Sequence, residues 1–216
     1  MHKSVAFWGR NLASYSNKIN VTNEKIENTL LQLLDKMPFN KVSVNNICEL
    51  AAINRSTFYR HYVDKYQVLD DIEQKILQQL RAISSSEFEQ STSVSDLAVN
   101  LEAIIQQMLA VVEANQSTLF LLLNQNGDAN FQNQLKQVFV ERMRDSWQRV
   151  NQHLKVDNHG IDTGLSIEFI VSADMTILNY AVNNPQISHQ QITETFTKLL
   201  IKGPLNTLYQ SVSTED

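Results

Sequence analysis

The sequence predicts an all-helical protein. Of its 216 residues 43% are apolar, so the chain can bury a core, while only 5 residues are glycine and 3 are proline. Scarce Gly and Pro argue against a fold of strands and tight turns. Apolar residues recur at helical spacing through most of the chain. The pattern divides the chain into a flexible N-terminal arm at residues 1–20, a helical domain at residues 21–83 and a second helical domain at residues 84–216.

Four helices are predicted in the domain at residues 21–83, and their ends carry recognisable signals. Pro38 should end the first helix near residue 37, because the residue before a proline avoids the helical conformation. Asn54 is a suitable N-cap for the third helix. Asp64 is suitable for the fourth, with Gln67 completing a capping box. The predicted helices lie at about residues 22–37, 44–51, 55–62 and 64–83.

The second domain is also predicted to be helical, at about residues 97–112, 119–123, 135–150, 163–183 and from 188 onward. The helix at residues 163–183 is apolar on nearly every side, which predicts that it is buried all round. Gly203-Pro204 should bend or break the last helix. The longest uninterrupted apolar stretch of note, Leu119–Leu123, is far too short to span a bilayer, so no membrane partner is expected.

The charges are distributed unevenly along the chain. The net charge is -5, but residues 1–81 carry 11 basic and 8 acidic side chains, whereas residues 82–216 carry 7 and 15. This asymmetry indicates a basic part that faces nucleic acid and an acidic part with another role. The single cysteine, Cys48, excludes an intramolecular disulfide, fits a reducing, cytoplasmic compartment and is expected to pack in the core.

The most informative segment is SVNNICELAAINRSTFYRHY, residues 43–62. Two short helices joined by a tight turn under a longer helix form a helix-turn-helix, whose second helix lies in the major groove of DNA. Arg55 can reach guanine, and Ser56 and Thr57 can meet base edges or a thymine methyl group. The predicted DNA-contacting residues are Ser43, Arg55, Ser56, Thr57, Tyr59, Arg60, His61 and Lys65. Alternatively, Tyr59 and His61 pack on the first helix and Arg55 is a solvated charge.

This segment resembles the TetR family of bacterial transcriptional regulators. The matching features over residues 22–82 are the capped start at Ser43, Ala51-Ala52-Ile53 at the turn, Ser56-Thr57-Phe58-Tyr59-Arg60-His61-Tyr62 in the third helix, and Asp64-Lys65 followed by Val68-Leu69. Ala52 departs from the Gly that is common in the family, and a positive φ there costs Ala modest steric strain. Beyond residue 82 the resemblance is architectural, and the chain is similar to the subgroup that includes dihydroxyacetone-kinase regulators.

The resemblance implies a DNA-binding regulator whose second domain dimerises and senses a small molecule. We expect a dimeric repressor that binds an inverted repeat of double-stranded DNA and is released by an effector. The interface should be a four-helix bundle from about residues 163–183 and 188–210 of each subunit. Candidate ligand-binding residues, which can equally be plain core, are Met108, Met143, Trp147, Phe169, Met175 and Tyr180.

Two other functions compete with this one. The first is a co-regulator of the same fold that binds a protein partner instead of DNA. The second is an enzyme, which no nucleophile–base pair, glycine-rich loop or metal-ligand spacing supports. His153, Asp157 and His159 lack helical ligand spacing, so a solvated loop is expected there, with no metal and no cofactor.

Overall fold

A computed structural model describes the backbone of residues 3–84, 86, 94–124, 127, 129–154 and 162–203, and the side chains of residues 19–84, 86, 99–124, 127, 130–149 and 162–203. The elements within these ranges are all helices, which confirms the predicted fold class. A single 3-10 turn, Phe39–Lys41, precedes the second helix. The helices are α1 (Lys3–Leu34), α2 (Val44–Leu50), α3 (Arg55–His61), α4 (Lys65–Arg81), α5 (Val94–Ala114), α6 (Gln116–Leu123), α7 (Ala129–Leu154), α8 (Thr163–Asn183) and α9 (His189–Lys202).

The first helix is longer than the sequence pattern predicts. It begins at Lys3 and not near Thr22, so residues 3–20 of the predicted arm are helical, and the flexibility of that arm stays a prediction. The segment contains no proline and one glycine, Gly9, so no residue in it forces the helix to end. The other end agrees with the prediction, because the last helical turn closes just before Pro38, where the Met37 amide donates to the carbonyl of Leu33 at 2.9 Å.

The chain divides into two compact units, and the division falls inside α4. The first unit is Met1–Lys75 with Asn124–Asp128, and the second is Ile76–Leu123 with Ala129–Asp216. In the first unit α1, α2 and α3 pack against one another in all three pairs. Burying each large apolar side chain contributes about 1.5–3 kcal/mol, so this core holds the two short helices on α1. Its fully buried members include Ile26, Leu30, Leu34, Ile47 and Phe58.

The second unit is a bundle built around α8, which packs against α5, α6, α7 and α9. The helix α9 also packs on α5. Ser188 caps the start of α9, and the helix ends at Lys202 before Gly203, where the Gly203-Pro204 pair predicts a break. Residues 204–210, predicted to extend the last helix, lie outside the described residues. The buried core of this unit includes Leu109, Leu119, Leu135, Val138, Val171 and Leu178.

The prediction that α8 is buried all round is wrong. Leu165, Phe169 and Tyr180 are 71%, 60% and 49% exposed, while Val171 and Leu178 on the opposite side are fully buried. The helix has enough neighbours in one chain to cover one face only, so the other apolar face remains in contact with solvent. Among the described residues α8 is also the one helix that is long and apolar enough to cross a membrane, a test that core helices of globular proteins pass as well.

The turn between α2 and α3 contains the one described non-glycine residue with a positive φ, Ala52 at 48°. We expect Ala52→Gly to raise the free energy of unfolding by about 0.5–1 kcal/mol, because relief of about 1–2 kcal/mol of left-handed strain exceeds the extra entropy of glycine in the unfolded chain. Urea denaturation measures the change. The matched control is Ala51→Gly, at a buried residue with a φ of -75°, which should destabilise the protein. Equal losses in both variants would contradict a strained turn.

Candidate functional sites

The helix-turn-helix is assembled by local side-chain caps. The Ser43 hydroxyl accepts a hydrogen bond from the Asn46 amide at 3.2 Å, and the Asn46 side-chain oxygen accepts one from the Ser43 amide at 2.9 Å. This capping box starts α2. Asn54 starts α3 in the same way, because its side-chain oxygen accepts from the Thr57 amide at 2.7 Å. Ser43 therefore has a structural role, and its contact with DNA stays a prediction.

The outer surface of α3 is polar and positively charged. Phe58 is fully buried, whereas Tyr59 on the other side of the helix is 50% exposed. The Arg55 guanidinium donates to the Tyr59 hydroxyl at 3.2 Å, and the Arg60 guanidinium donates to the Thr57 hydroxyl at 3.0 Å. The fifth predicted contact residue on this surface, Ser56, is exposed and donates to the side-chain oxygen of Asn54 at 2.7 Å.

These bonds bring five of the predicted DNA-contacting residues together on one short helix. The pairs are arranged so that the long Arg side chains lie along the helix surface. Side chains that are already partly ordered lose less entropy when they bind a partner. The arrangement can therefore present two guanidinium groups and three hydroxyl groups to a polar, negatively charged ligand.

The end of α3 is fastened to α1 by two polar contacts. The His61 Nδ1 atom lies 2.6 Å from the side-chain oxygen of Asn23, to which it donates. The buried Tyr62 hydroxyl donates to one carboxylate oxygen of Glu27 at 2.9 Å, and Lys75 forms an ion pair with the other. Burial, and then the hydrogen bond to Glu27, raise the pKa of Tyr62. His61 thus packs on the first helix, which was the alternative to a phosphate contact, and its role at DNA stays a prediction.

Lys65 joins the start of α4 to the loop that follows α1. Its ammonium group donates to the carbonyl oxygens of Phe39 at 2.8 Å, Val42 at 2.7 Å and Asn40 at 3.3 Å. It also lies 4.6 Å from the centroid of the Phe39 ring, and burial lowers the pKa of its amine. To contact a phosphate, Lys65 would have to exchange some of these bonds. In this structure it is a positioning residue for α4.

A cavity of about 80 Å³ lies inside the second unit, between α5, α7 and α8. Met108 and Met143, two of the predicted ligand-binding residues, are in its wall. The remaining apolar lining residues are Ile83, Leu101, Ile104, Ile105, Phe139 and Ile170. Three polar side chains complete the wall: Arg142, Ser146 and Asp174.

The other four predicted ligand-binding residues lie elsewhere. Trp147 and Met175 are half-buried and are not in the wall of this cavity, and Phe169 is exposed. Tyr180 lines a separate groove of about 250 Å³ between α8 and α9. The structure therefore does not bring the six residues together in one site.

The sequence analysis did not predict that polar residues line this cavity. Burial raises the pKa of Asp174 to about 7, and the positive charge of Arg142 opposes that rise. The Arg142 guanidinium donates to the carbonyl oxygen of Arg81, the last residue of α4, at 2.9 Å. A signal was present, because Asp174 is a carboxylate in the middle of the apolar helix α8, and a buried charge is expensive unless it has a function or a partner.

The candidate metal ligands His153, Asp157 and His159 lie outside the described side chains, so the solvated loop expected there stays a prediction. Elsewhere in the described part of the chain, no group of three His, Cys, Asp or Glu residues is arranged to hold a metal ion. Cys48 is buried, and burial raises the pKa of its thiol.

Several solved structures share this arrangement of helices. A TetR transcriptional regulator from Streptococcus agalactiae 2603V is 20% identical over 87% of this chain and 98% of its own, with a TM-score of 0.61. The fatty acid degradation regulator FadR from Bacillus halodurans is 14% identical over 84% and 95%, with a TM-score of 0.61. The dihydroxyacetone kinase operon activator DhaS is 19% identical over 84% and 95%, with a TM-score of 0.53. None of the curated proteins matches the sequence.

At these sequence identities the solved structures show only that the fold is shared. A family model adds a sequence match over part of the chain. Residues 99–202 match a TetR-type model described as "Transcriptional regulator C-terminal region". The chain is therefore similar to TetR-family regulators in its fold and in the sequence of residues 99–202. The matched residues lie in the second unit, whereas the sequence resemblance rests on the helix-turn-helix in the first, so two separate parts of the chain indicate the same family.

Proposed function

We propose that this protein is a TetR-family transcriptional regulator, a cytoplasmic homodimer that binds an inverted-repeat operator, represses transcription and is released by a small-molecule effector. The observation that carries the proposal is the exposed surface of α3, on which Arg55, Arg60 and neighbouring hydroxyl groups surround a helix held from behind by the buried Phe58. A rigidly held helix with such a surface suits the major groove. We assign Arg55, Ser56 and Thr57 to base edges, and Tyr59 and Arg60 to phosphates.

We expect selection from random DNA to enrich a sequence with two-fold symmetry. Substitutions of two arginines should then affect base preference and overall DNA affinity separately. Arg55→Ala should relax base preference in each half-site at a cost of about 1–3 kcal/mol. Arg60→Ala should weaken binding to all sequences alike and reduce the salt slope by about 0.9 for each phosphate that is no longer neutralised. The matched control is Arg81→Ala, at an exposed arginine in the second unit, which should change neither quantity. A selection that enriches no sequence would overturn the proposal.

The dimer is proposed from the uncovered face of α8. Leu165, Phe169 and Tyr180 are exposed in the single chain, and Tyr180 continues into the apolar groove beside α9. Exposed apolar surface of this kind marks an interaction site, and a two-fold operator requires a two-fold protein. The second subunit would cover this face with its own α8 and α9.

Effector control is proposed from the position of α4. This helix begins at Lys65 in the first unit and ends in the second, where the cavity residue Arg142 holds its last carbonyl group. A ligand that displaces Arg142 would alter the end of α4 and hence the spacing of the two α3 helices, which must match major grooves about 34 Å apart. A coupling of about 1–3 kcal/mol would change operator affinity about 5–150-fold.

One observation favours the alternative of a co-regulator that does not bind DNA. His61 and Lys65 both have structural partners, Asn23 and the 39–42 loop, so their presence in the sequence does not by itself argue for phosphate contacts. The outer surface of α3 is then the one feature that favours a DNA-binding regulator over a co-regulator. A co-regulator would give no enrichment in the DNA selection and no salt-dependent loss of DNA affinity in Arg60→Ala.

A further inference from the structure

We propose that the effector is a small primary ammonium compound with a short apolar body, which binds in the cavity between α5, α7 and α8 with its cationic group on the Asp174 carboxylate. This inference rests on the effector control proposed above and adds the chemical class of the ligand and the residue that recognises it. The residues that carry it are Asp174, Arg142 and the apolar wall of the cavity.

The Asp174 carboxylate is the group in the cavity wall that lacks a bound partner. Within the described part of the chain no hydrogen bond reaches it, although it lies on α8 one turn after Ile170, with the apolar lining around it. Arg142 interacts with it through space, but its guanidinium donates instead to the Arg81 carbonyl. Asp174 is half-buried, and a carboxylate held in a largely apolar wall is normally hydrogen-bonded. A ligand that brings hydrogen-bond donors would satisfy this one.

The net charge of the chain around the cavity favours a positively charged hydrogen-bond donor over a neutral one. Residues 82–216 carry 15 acidic and 7 basic side chains, so this part of the chain attracts positive ligands and repels anions. An ammonium group supplies three donors and forms charge-assisted hydrogen bonds with a carboxylate. Once the ligand neutralises Asp174, the attraction between Asp174 and Arg142 is weakened, which links ligand binding to the contact at the end of α4.

The size of the cavity limits the apolar part of the ligand. Its volume of about 80 Å³ is roughly half that of an engineered cavity of about 150 Å³ that binds benzene. A chain of about three carbon atoms with one terminal ammonium group is therefore a suitable probe. The Met108 and Met143 side chains in the wall can adjust to ligands of slightly different shape.

The test is calorimetric titration of the full-length protein with n-propylammonium chloride, n-propanol and sodium propionate at about pH 8, where Asp174 is ionised. Propylammonium should bind at one site per chain and more tightly than propanol, and propionate should not bind. Asp174→Asn should weaken propylammonium binding about 10–150-fold, the effect of losing one hydrogen bond to a charged group. The matched control is Asp145→Asn, at an exposed carboxylate on α7, which should bind propylammonium as the wild type does.

Equal binding of propylammonium and propanol, or unchanged propylammonium binding in Asp174→Asn, would overturn the assignment of an ammonium ligand. The proposed function has its own readout, the affinity for the selected operator. If propylammonium binds through Asp174 but leaves operator affinity unchanged, the cation site stands and effector control is wrong. If the operator is bound but propylammonium is not, the regulator stands and the ligand class is wrong.

Discussion

Phe169→Glu is expected to convert the proposed homodimer into monomers. Phe169 is 60% exposed in the single chain, so the change should leave the core of the subunit intact. In a two-fold interface the substitution acts twice, and each central aromatic residue contributes about 2–4 kcal/mol. Together with the cost of burying two carboxylates, this predicts a rise of at least about 1,000-fold in the dissociation constant of the dimer.

Light scattering at micromolar protein concentration measures the change. Phe120→Glu is the matched control, because Phe120 on α6 is 48% exposed but lies outside the proposed interface. The control should remain dimeric, and both variants should keep the helical circular dichroism of the wild type. A wild-type monomer, or a dimer that survives Phe169→Glu, would exclude α8 as the dimer interface. The exposed apolar face of α8 would then have to bind another partner, such as a different protein or a membrane.

Asp174→Asn is expected to remove a large part of the pH dependence of folding stability. The pKa of Asp174 is raised from its ordinary value of 3.8 to about 7 in the folded protein. The folded state therefore binds a proton that the unfolded state has already released, and the contribution of Asp174 to stability is largest below about pH 4. This contribution should fall as the pH rises toward 7, by as much as about 4 kcal/mol, and should be lost completely above that range.

Urea denaturation at about pH 5 and about pH 8 tests this expectation, because the asparagine side chain is a neutral replacement for the protonated acid. The variant should be more stable than the wild type at the higher pH, and the difference should shrink at the lower pH. Asp145→Asn, at an exposed carboxylate, is the matched control and should follow the wild type. Parallel pH profiles for wild type and Asp174→Asn would show that the carboxyl group is not desolvated in the cavity.

These two predictions concern residues of the same helix, α8. One of these residues, Asp174, lowers the free energy of unfolding at neutral pH. A carboxyl group that costs stability at neutral pH is retained more easily where a ligand can offset that cost. The exposed face of α8 holds Phe169, and the cavity face holds Asp174. The proposed effector site and the proposed dimer interface therefore share this helix, and comparison of Phe169→Glu with Asp174→Asn tests the two proposals separately.

The sequence by itself determined the helices and the turn of the helix-turn-helix. Ser43, Asn54 and Asp64 cap helices as predicted, because a cap needs only the amide groups of the next two or three residues. The positive φ at Ala52 was predictable for the same reason, since the tight turn constrains the backbone locally. The start of α1 was not predictable in this way, because Lys3–Leu34 contains a possible cap at Thr22 that the helix passes through.

Only the tertiary structure decided which side chains are available for function. His61 and Lys65 have the right chemistry for phosphates, but partners 38 and 23–26 residues away in the chain hold them. The sequence pattern of α8 shows an apolar helix, but not which of its faces is covered, and it shows Asp174 without the cavity around it. Local hydrogen bonds can be read along the chain, whereas burial depends on which distant residues occupy the space around a side chain, and only the packed structure specifies them.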